Sequence, residues 1–233
     1  MVHHLITDKS QPPKTPHLKL YSVPSPNSVQ VTILMELLGL DYYVQKINLS
    51  DKAEQREPWY LKMNPNGKAP TLEVVDRFGE STYISESAAI LYYLSDTYDL
   101  KRKFSLGGGS PFCYEQLEWV FFQSSELGPT TDQLFQLISH SPEKVDDIQK
   151  CHDKFVRLLG VLEEKLKRTG TGFLVGEHLS LADIVTFPWL GLTMLPEKLT
   201  FTEEIKQFPL VEGWIKMIQK LEEVARAQNI PLR

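Results

Sequence analysis

The first regular pattern in the chain is an apolar strand, a polar turn and an apolar-faced helix. The strand covers Leu18–Tyr21, and apolar residues then recur at three- and four-residue spacing through Val29–Leu38, which predicts a helix beginning near Ser28. The turn between them, Ser25–Asn27, brings a hydroxyl, a side-chain amide and the free N–H groups of a helix start to one point. Such groups suit a bound anion.

The pattern continues to residue 98 with short strands and one more helix. Gly39 stands where a helix C-cap belongs, and Tyr42–Asn48 alternates as a second strand, so the order strand-helix-strand predicts a parallel pair with a right-handed crossover. A short helix is expected around residues 59–63. Thr71–Val75 and Ser81–Ile84 predict a β-hairpin. A helix over 85–98 completes a βαβ unit followed by a ββα unit.

From residue 99 onwards the pattern is helical. Helix starts are predicted at Ser110-Pro111 and Ser141-Pro142, Gly128-Pro129 is expected to interrupt a long helix, and Asp183 is expected to cap another. The last helix is predicted over 210–227. These patterns divide the chain into a flexible tail (1–16), a mixed α/β domain (17–98), a flexible linker (99–110) and an all-helical domain (111–233).

Composition excludes several classes of function. With 42% apolar residues among 233, the chain can bury packed cores. The net charge of −5 with scattered Lys and Arg gives no footprint for nucleic acid or an anionic membrane, and no apolar run reaches the roughly 18 residues that span a bilayer. The two cysteines, Cys113 and Cys151, have no metal or CxxC spacing. We therefore expect a reduced, cytoplasmic protein without a metal site.

The order of the elements and four segments together resemble the cytosolic glutathione transferases over residues 18 to about 225. The segments are EPWYLKMNPNGKAPTL, ISESAAILYYL, EQLEWVFFQSSELGP and HLSLADIVTFPWL. Within that superfamily they are similar to the fungal nitrogen-regulator-like branch and to the bacterial Nu-class disulfide-bond reductases. The resemblance implies a thioredoxin-like N-terminal domain followed by a helical bundle. Ser28 stands where this branch has glycine, so it either avoids positive φ or is strained. Gln30 stands where a basic residue is common.

The resemblance also implies that the anion at the first turn is the thiolate of glutathione. Ser25 and Asn27 are then the catalytic residues, because the hydroxyl and the amide or backbone N–H can donate hydrogen bonds to sulfur. The alternative from the residues alone is an ordinary turn and helix cap. Tyr21, inside the strand, is interpreted as structural.

The remaining cofactor-binding residues follow from the same resemblance. It implies a cis bond before Pro70, with the backbone of Ala69 pairing with the cysteinyl part of glutathione. Glu86 and Ser87 would hold the γ-glutamyl amine and carboxylate. Lys68, with Lys62 as the alternative, would pair with the glycine carboxylate, although either lysine could simply be solvated.

The implied partners are glutathione, a hydrophobic electrophile or disulfide, and a second copy of the chain in a homodimer. The second substrate is expected at the helical domain, where Phe121, Phe122 and Leu127 are either its contacts or core residues. Conjugation and disulfide reduction both fit. The alternatives are a pathway-specific biosynthetic transferase or isomerase, and a non-catalytic binding module.

Overall fold

The computed structural model describes residues 15–50, 53–190 and 201–230, together with the backbone of a two-residue strand at His4–Leu5. The chain divides into two compact units. One contains the residues up to Tyr98 and those from Glu222 onwards, and the other contains Asp99–Leu221. No helix in the described ranges is both long and apolar enough to cross a lipid bilayer.

The first unit is built on a five-stranded sheet in the order β1-β3-β2-β4-β5. The parallel β2–β3 pair and the antiparallel β4–β5 hairpin are as predicted. Strand β1 lies in the segment that was predicted to be a flexible tail, and it pairs in parallel with β3. The outer edge of β3 has backbone groups available for another strand. The strands are β1 (His4–Leu5), β2 (His17–Ser22), β3 (Tyr42–Lys46), β4 (Thr71–Val75) and β5 (Ser81–Ser85).

Helix α1 (Pro26–Leu37) is the buried centre of this unit, since every residue from Ser28 to Glu36 is buried. It starts two residues earlier than expected, with Ser25 as its N-cap and proline at its first position, an arrangement that helix starts favour. Gly39 follows its end at a φ of 68°, the left-handed conformation that glycine adopts readily. The unit also contains a 3₁₀ turn at Glu54–Arg56 and helices α2 (Pro58–Leu61) and α3 (Ser87–Tyr98).

The second unit is helical, as predicted. Its core includes completely buried side chains from three of its helices, among them Leu134, Phe155 and Phe187. Its helices are α4 (Pro111–Phe122), α5 (Gly128–His140), α6 (Val145–Thr169), α7 (Leu181–Leu190), α8 (Thr202–Ile205) and α9 (Pro209–Gln219).

The predicted interruption at Gly128-Pro129 takes the form of a π-helical segment, Gln123–Leu127, which ends the α-helical pattern of α4 while the chain stays helical into α5. Pro129 has no N–H for an α-helical bond, and the N–H of Gly128 instead reaches the carbonyl of Gln123, five residues back. A Cβ at Gly128 would lie 2.7 Å from Gln123 Nε2 and 3.2 Å from the Trp189 ring. Glycine is therefore required here by close packing.

The segment 99–110 is folded into the second unit and is not a flexible linker. The buried carboxylate of Asp99 accepts the N–H of Phe104 at 2.8 Å and the N–H and hydroxyl of Ser105 at 2.9 and 3.0 Å. The carbonyl of Phe104 accepts the N–H of Leu181 at 3.0 Å. One buried acidic residue thus organises a segment whose composition is typical of a loop.

The single helix predicted over 210–227 is two helices, and the second one, α10 (Glu222–Gln228), belongs to the first unit. There it packs against α1. Arg226 Nε donates to Glu36 Oε2 at 2.9 Å, and the Tyr42 hydroxyl donates to Glu36 Oε1 at 2.9 Å. The Glu36 side chain is completely buried, so these donors compensate a carboxylate that would otherwise be unfavourable there.

Candidate functional site

Three segments that carry the predicted site residues end at the same end of the sheet. Tyr21 in β2 is opposite Thr71 in β4, and Thr71 is opposite Ser85 in β5. The turn after β2, the loop before β4 and the turn after β5 are therefore neighbours. The predicted residues on these segments are Ser25, Asn27, Lys68, Ala69, Pro70, Glu86 and Ser87.

The first turn is held by two serines. Ser25 Oγ accepts the N–H of Ser28 at 3.3 Å and donates to Ser28 Oγ at 3.2 Å, while Ser28 Oγ accepts the N–H of Val23 at 3.3 Å. Ser28 lies in the first turn of α1, outside the positive-φ region. Of the two possibilities that the sequence left open, Ser28 therefore avoids the strain.

Asn27 and Ser87 are brought together by Gln30. Asn27 Oδ1 accepts Gln30 Nε2 at 2.9 Å and the Ser87 hydroxyl at 3.3 Å, and Gln30 Nε2 is also 2.5 Å from Ser87 Oγ. Among the described residues, none forms a hydrogen bond with Asn27 Nδ2. The inner side of this amide is thus occupied, and its two N–H donors remain for a ligand.

Glu86 adopts a left-handed backbone conformation, with a φ of 67°. Its carbonyl accepts the N–H of Ile90 at 3.0 Å, so it stands at the start of α3, and Asn66 Nδ2 lies 3.5 Å from its carboxylate. A left-handed conformation costs a residue with a side chain about 1 to 2 kcal/mol, and residues strained in this way cluster at functional sites. The strain therefore favours a functional role for the turn between β5 and α3.

The loop before β4 is fixed through its backbone. The Ala69–Pro70 bond is cis, as the resemblance implied, and the carbonyl of Lys68 accepts the Tyr60 hydroxyl at 2.8 Å and Asn64 Nδ2 at 2.6 Å. The side chain of Lys68 is exposed. Tyr60 and Asn64 were not expected from the sequence to support the site.

The chain matches two family models, described as "Glutathione S-transferase, N-terminal domain" over residues 16–96 and "Glutathione S-transferase, C-terminal domain" over residues 128–222. The chain belongs to the glutathione S-transferase family. Glutathione S-transferase 2 of Schizosaccharomyces pombe is 34% identical to it, covering 91% of this chain and 98% of that protein.

Other relatives agree with the branch that the sequence indicated. The disulfide-bond oxidoreductase YfcG of Escherichia coli is 30% identical, covering 87% of this chain and 90% of that protein. The protein URE2 of Candida maltosa is 27% identical, covering 87% and 70%. A glutathione transferase homologue from Lodderomyces elongisporus, crystallised with two glutathione molecules per subunit, is 36% identical with a TM-score of 0.83, covering 92% of this chain and 99% of that one.

Tyr21 has no free hydroxyl proton to offer a ligand. Its proton is donated to Glu73 Oε2 at 2.9 Å. Burial, and secondly the charge of Glu73, raise the pKa of the Tyr21 hydroxyl above its ordinary value. The structural interpretation of Tyr21 is consistent with this geometry.

The two cysteines, Cys113 and Cys151, belong to the helical unit, whereas Ser25 and Asn27 belong to the first unit. The Cys151 thiol is buried and contacts the carbonyl of Thr130 at 3.4 Å, and burial raises its pKa. A thiol with a raised pKa is a poor nucleophile at neutral pH.

The aromatic segment before the π-helical turn contains three different environments. Leu127 is completely buried in the helical unit, whereas Phe121 is 60% exposed. Phe122 packs against Trp119 with ring centroids 5.0 Å apart. Leu127 is therefore a core residue, the second of the two roles that the sequence allowed.

Gln30 is a further residue whose place in the site the sequence did not predict. A signal was present, since it is a long polar side chain inside the apolar run of α1, three residues after Asn27. That spacing places two side chains on the same face of a helix.

Proposed function

We propose that this chain is a glutathione-dependent enzyme that activates the thiol of glutathione and directs it at an electrophile or a disulfide. The observation that supports this most strongly is the arrangement of Asn27, whose oxygen is occupied by Gln30 and Ser87 while its nitrogen has no partner among the described residues. An amide held in this way presents donors to an anion at the N-terminus of α1. The helix dipole favours an anion at the same point.

The energy required is within reach of one or two donors. A free thiol has a pKa of about 8.5, and lowering it by about two units requires about 2.7 kcal/mol of preferential stabilisation of the thiolate. A hydrogen bond to a charged group contributes about 1.5 to 3 kcal/mol. Asn27 is the main donor in this proposal. Ser25 is the weaker donor, because its hydroxyl proton is already donated to Ser28 Oγ.

The other groups of the tripeptide fit the neighbouring segments. Ser87 and the free N–H groups at the start of α3 would bind the γ-glutamyl carboxylate, and Glu86 would face its amine. Ala69 lies two residues before β4, so its backbone can pair with the cysteinyl backbone as an added strand does. The exposed Lys68 would pair with the glycine carboxylate, with Lys62 as the alternative.

Two reactions can follow from the same thiolate. With an electrophile, sulfur forms a bond to carbon, and a leaving group departs or the adduct takes up a proton. With a disulfide, sulfur forms a mixed disulfide and releases one thiolate, and a second glutathione thiolate then displaces the other, giving oxidised glutathione. Relatives named as a glutathione S-transferase and as a disulfide-bond oxidoreductase support keeping both.

The test combines binding with spectroscopy. Glutathione should raise the melting temperature, and a pH titration of the ultraviolet thiolate absorbance of bound glutathione should give a pKa well below that of free glutathione. We expect Asn27→Ala to raise this pKa by about 1 to 2 units, the equivalent of one hydrogen bond to a charged group, and Ser25→Ala to raise it less. Asn229→Ala, at an exposed asparagine after α10, is the matched control.

The outcomes separate the alternatives. No stabilisation by glutathione would refute the cofactor. Binding with an unchanged pKa in both Asn27→Ala and Ser25→Ala would place thiol activation elsewhere. Binding with a lowered pKa but no turnover of electrophiles or disulfides would favour the non-catalytic module. Light scattering tests the homodimer that the family resemblance implies.

A further inference from the structure

Gln30 connects the two ends of the proposed glutathione site from inside the protein. Its side chain is 0% exposed. Its Nε2 lies 2.9 Å from Asn27 Oδ1 on α1 and 2.5 Å from Ser87 Oγ on α3, and the Ser87 hydroxyl lies 3.3 Å from Asn27 Oδ1. The three side chains form a closed triangle of hydrogen bonds.

The protons in this triangle can be counted. The Gln30 amide has two N–H donors, and one reaches Asn27 while the other reaches Ser87. Ser87 has a single proton, which it donates to Asn27 Oδ1. The oxygen and nitrogen of one amide lie on opposite sides of its carbon, so holding Asn27 Oδ1 inward fixes the direction of Nδ2.

Glutathione binding would change the partner of one of these protons, that of Ser87. If its γ-glutamyl carboxylate binds at Ser87, as the proposed function has it, the serine proton turns from Asn27 to the carboxylate. Gln30 is then the remaining side-chain donor to Asn27 Oδ1. The amide of Asn27 would depend on Gln30 at the stage when its nitrogen must face sulfur.

We propose that Gln30 is a positioning residue, which holds Asn27 with its nitrogen directed to the glutathione sulfur and links it to Ser87 at the γ-glutamyl end. The inference rests on the proposed function and deepens it. Gln30 does not touch the reacting atoms and acts through Asn27.

A second observation separates this role from a structural one. Gln30 Oε1 is buried and has no hydrogen-bond partner within the described part of the chain. Leaving a buried acceptor unpaired is unfavourable, so an apolar side chain of similar length should be tolerated here at least as well. The unpaired oxygen is a local cost in stability, of the kind expected at a residue retained for function.

The test is Gln30→Met, which preserves length and removes both donors. We expect the melting temperature to be unchanged or higher, and the pKa of bound glutathione to rise by about one unit as Asn27 loses its fixed orientation. Gln30→Glu is the second variant. Its carboxylate can only accept, so it should turn the Asn27 nitrogen inward and raise the pKa at least as far.

A control variant at another buried glutamine and a double variant test whether the pKa change is specific to Gln30 acting through Asn27. Gln116 is also buried and accepts the N–H of Leu106 at 3.3 Å in the helical unit, so Gln116→Met should lower stability without changing the thiol pKa. The double variant Asn27→Ala with Gln30→Met should show no rise beyond Asn27→Ala alone, because Gln30 acts through Asn27.

Each outcome is decisive. An unchanged pKa in Gln30→Met, or additive shifts in the double variant, would overturn the role of Gln30 while leaving a pKa rise in Asn27→Ala as support for the proposed function. An unchanged pKa in Asn27→Ala would overturn both. A large loss of stability in Gln30→Met, with the pKa unchanged, would show that Gln30 is only structural.

Discussion

The Asp183 carboxylate joins three segments of the helical unit, at Leu174, Ser180 and Trp214, and offers a quantitative test of how that unit is held together. It is completely buried and accepts four hydrogen bonds. Oδ1 accepts the N–H of Leu174 at 2.9 Å and Trp214 Nε1 at 2.8 Å, and Oδ2 accepts both the N–H and the hydroxyl of Ser180 at 2.9 Å. The capping role predicted for Asp183 is confirmed, and the contacts of Leu174 and Trp214 extend it.

Asp183→Asn changes the hydrogen bonding with almost no change in shape. The amide oxygen can keep the Leu174 and Trp214 donors, while the amide nitrogen then faces Ser180. The serine hydroxyl can rotate to accept, but its backbone N–H is left against another N–H. A buried unsatisfied donor costs about 1 to 3 kcal/mol.

Two further terms act in opposite directions. The two remaining hydrogen bonds lose their charge assistance, which roughly halves their strength. Burial raises the pKa of Asp183, and the hydrogen bonds from Leu174, Ser180 and Trp214 oppose that rise, so removing the charge also relieves a desolvation cost. We expect a net loss of about 2 to 4 kcal/mol in the free energy of unfolding.

The assay is urea unfolding followed by tryptophan fluorescence. Three of the four tryptophans, Trp119, Trp189 and Trp214, lie in the helical unit, so the signal reports mainly on that unit. The midpoint should fall while the slope m stays the same. Asp132→Asn, at an exposed position on α5, is the matched control. If both variants stay within about 0.5 kcal/mol of the parent chain, the reasoning about Asp183 is refuted.

Two further predictions concern the first unit. Tyr21→Phe should leave the thiol pKa of bound glutathione unchanged, because its proton is held by Glu73, and should cost about 1 kcal/mol of stability. Glu36→Gln should cost about 1 to 3 kcal/mol, because the amide oxygen keeps only one of the two donors, Tyr42 and Arg226, and the pairing with Arg226 loses its opposite charge. Faster hydrogen exchange in α10 would show that this helix is released locally.

These two predictions have separate controls. A raised thiol pKa in Tyr21→Phe would show that Tyr21 helps to stabilise the thiolate, contrary to the prediction. Asn27→Ala is the positive control for that measurement. Glu80→Gln, at an exposed position between β4 and β5, should have no effect on α10. Equal exchange rates in Glu36→Gln and Glu80→Gln would contradict the role of the buried carboxylate.

Most of the elements could be predicted because their signals are local. Ser25 and Pro26 mark the start of α1, Gly39 marks its end, and alternating residues mark both strands of the β4–β5 hairpin. Each signal depends on the conformation of a few adjacent residues. The family resemblance supplied what the local patterns could not, including the cis bond before Pro70.

The features that the sequence did not predict depend on pairs of residues that are distant along the chain. Glu36 and Arg226 are 190 positions apart, and nothing near either residue indicates that α10 returns to α1. Asp99 was missed for a different reason. Its partners are close in sequence, but a loop composition does not show that its carboxylate will be buried.

Ser28 and Gln30 show how two departures from the pattern that the family resemblance implies can have different consequences. Ser28 replaces glycine without strain because α1 begins at Pro26, and its hydroxyl gives the buried N–H of Val23 an acceptor that glycine lacks. Its effect stays within the turn. Gln30 reaches from α1 to α3 and leaves its own acceptor unpaired. In the proposed function, this neutral donor orients Asn27 without adding a charge, so hydrogen bonds and the helix dipole would have to supply the stabilisation of the thiolate.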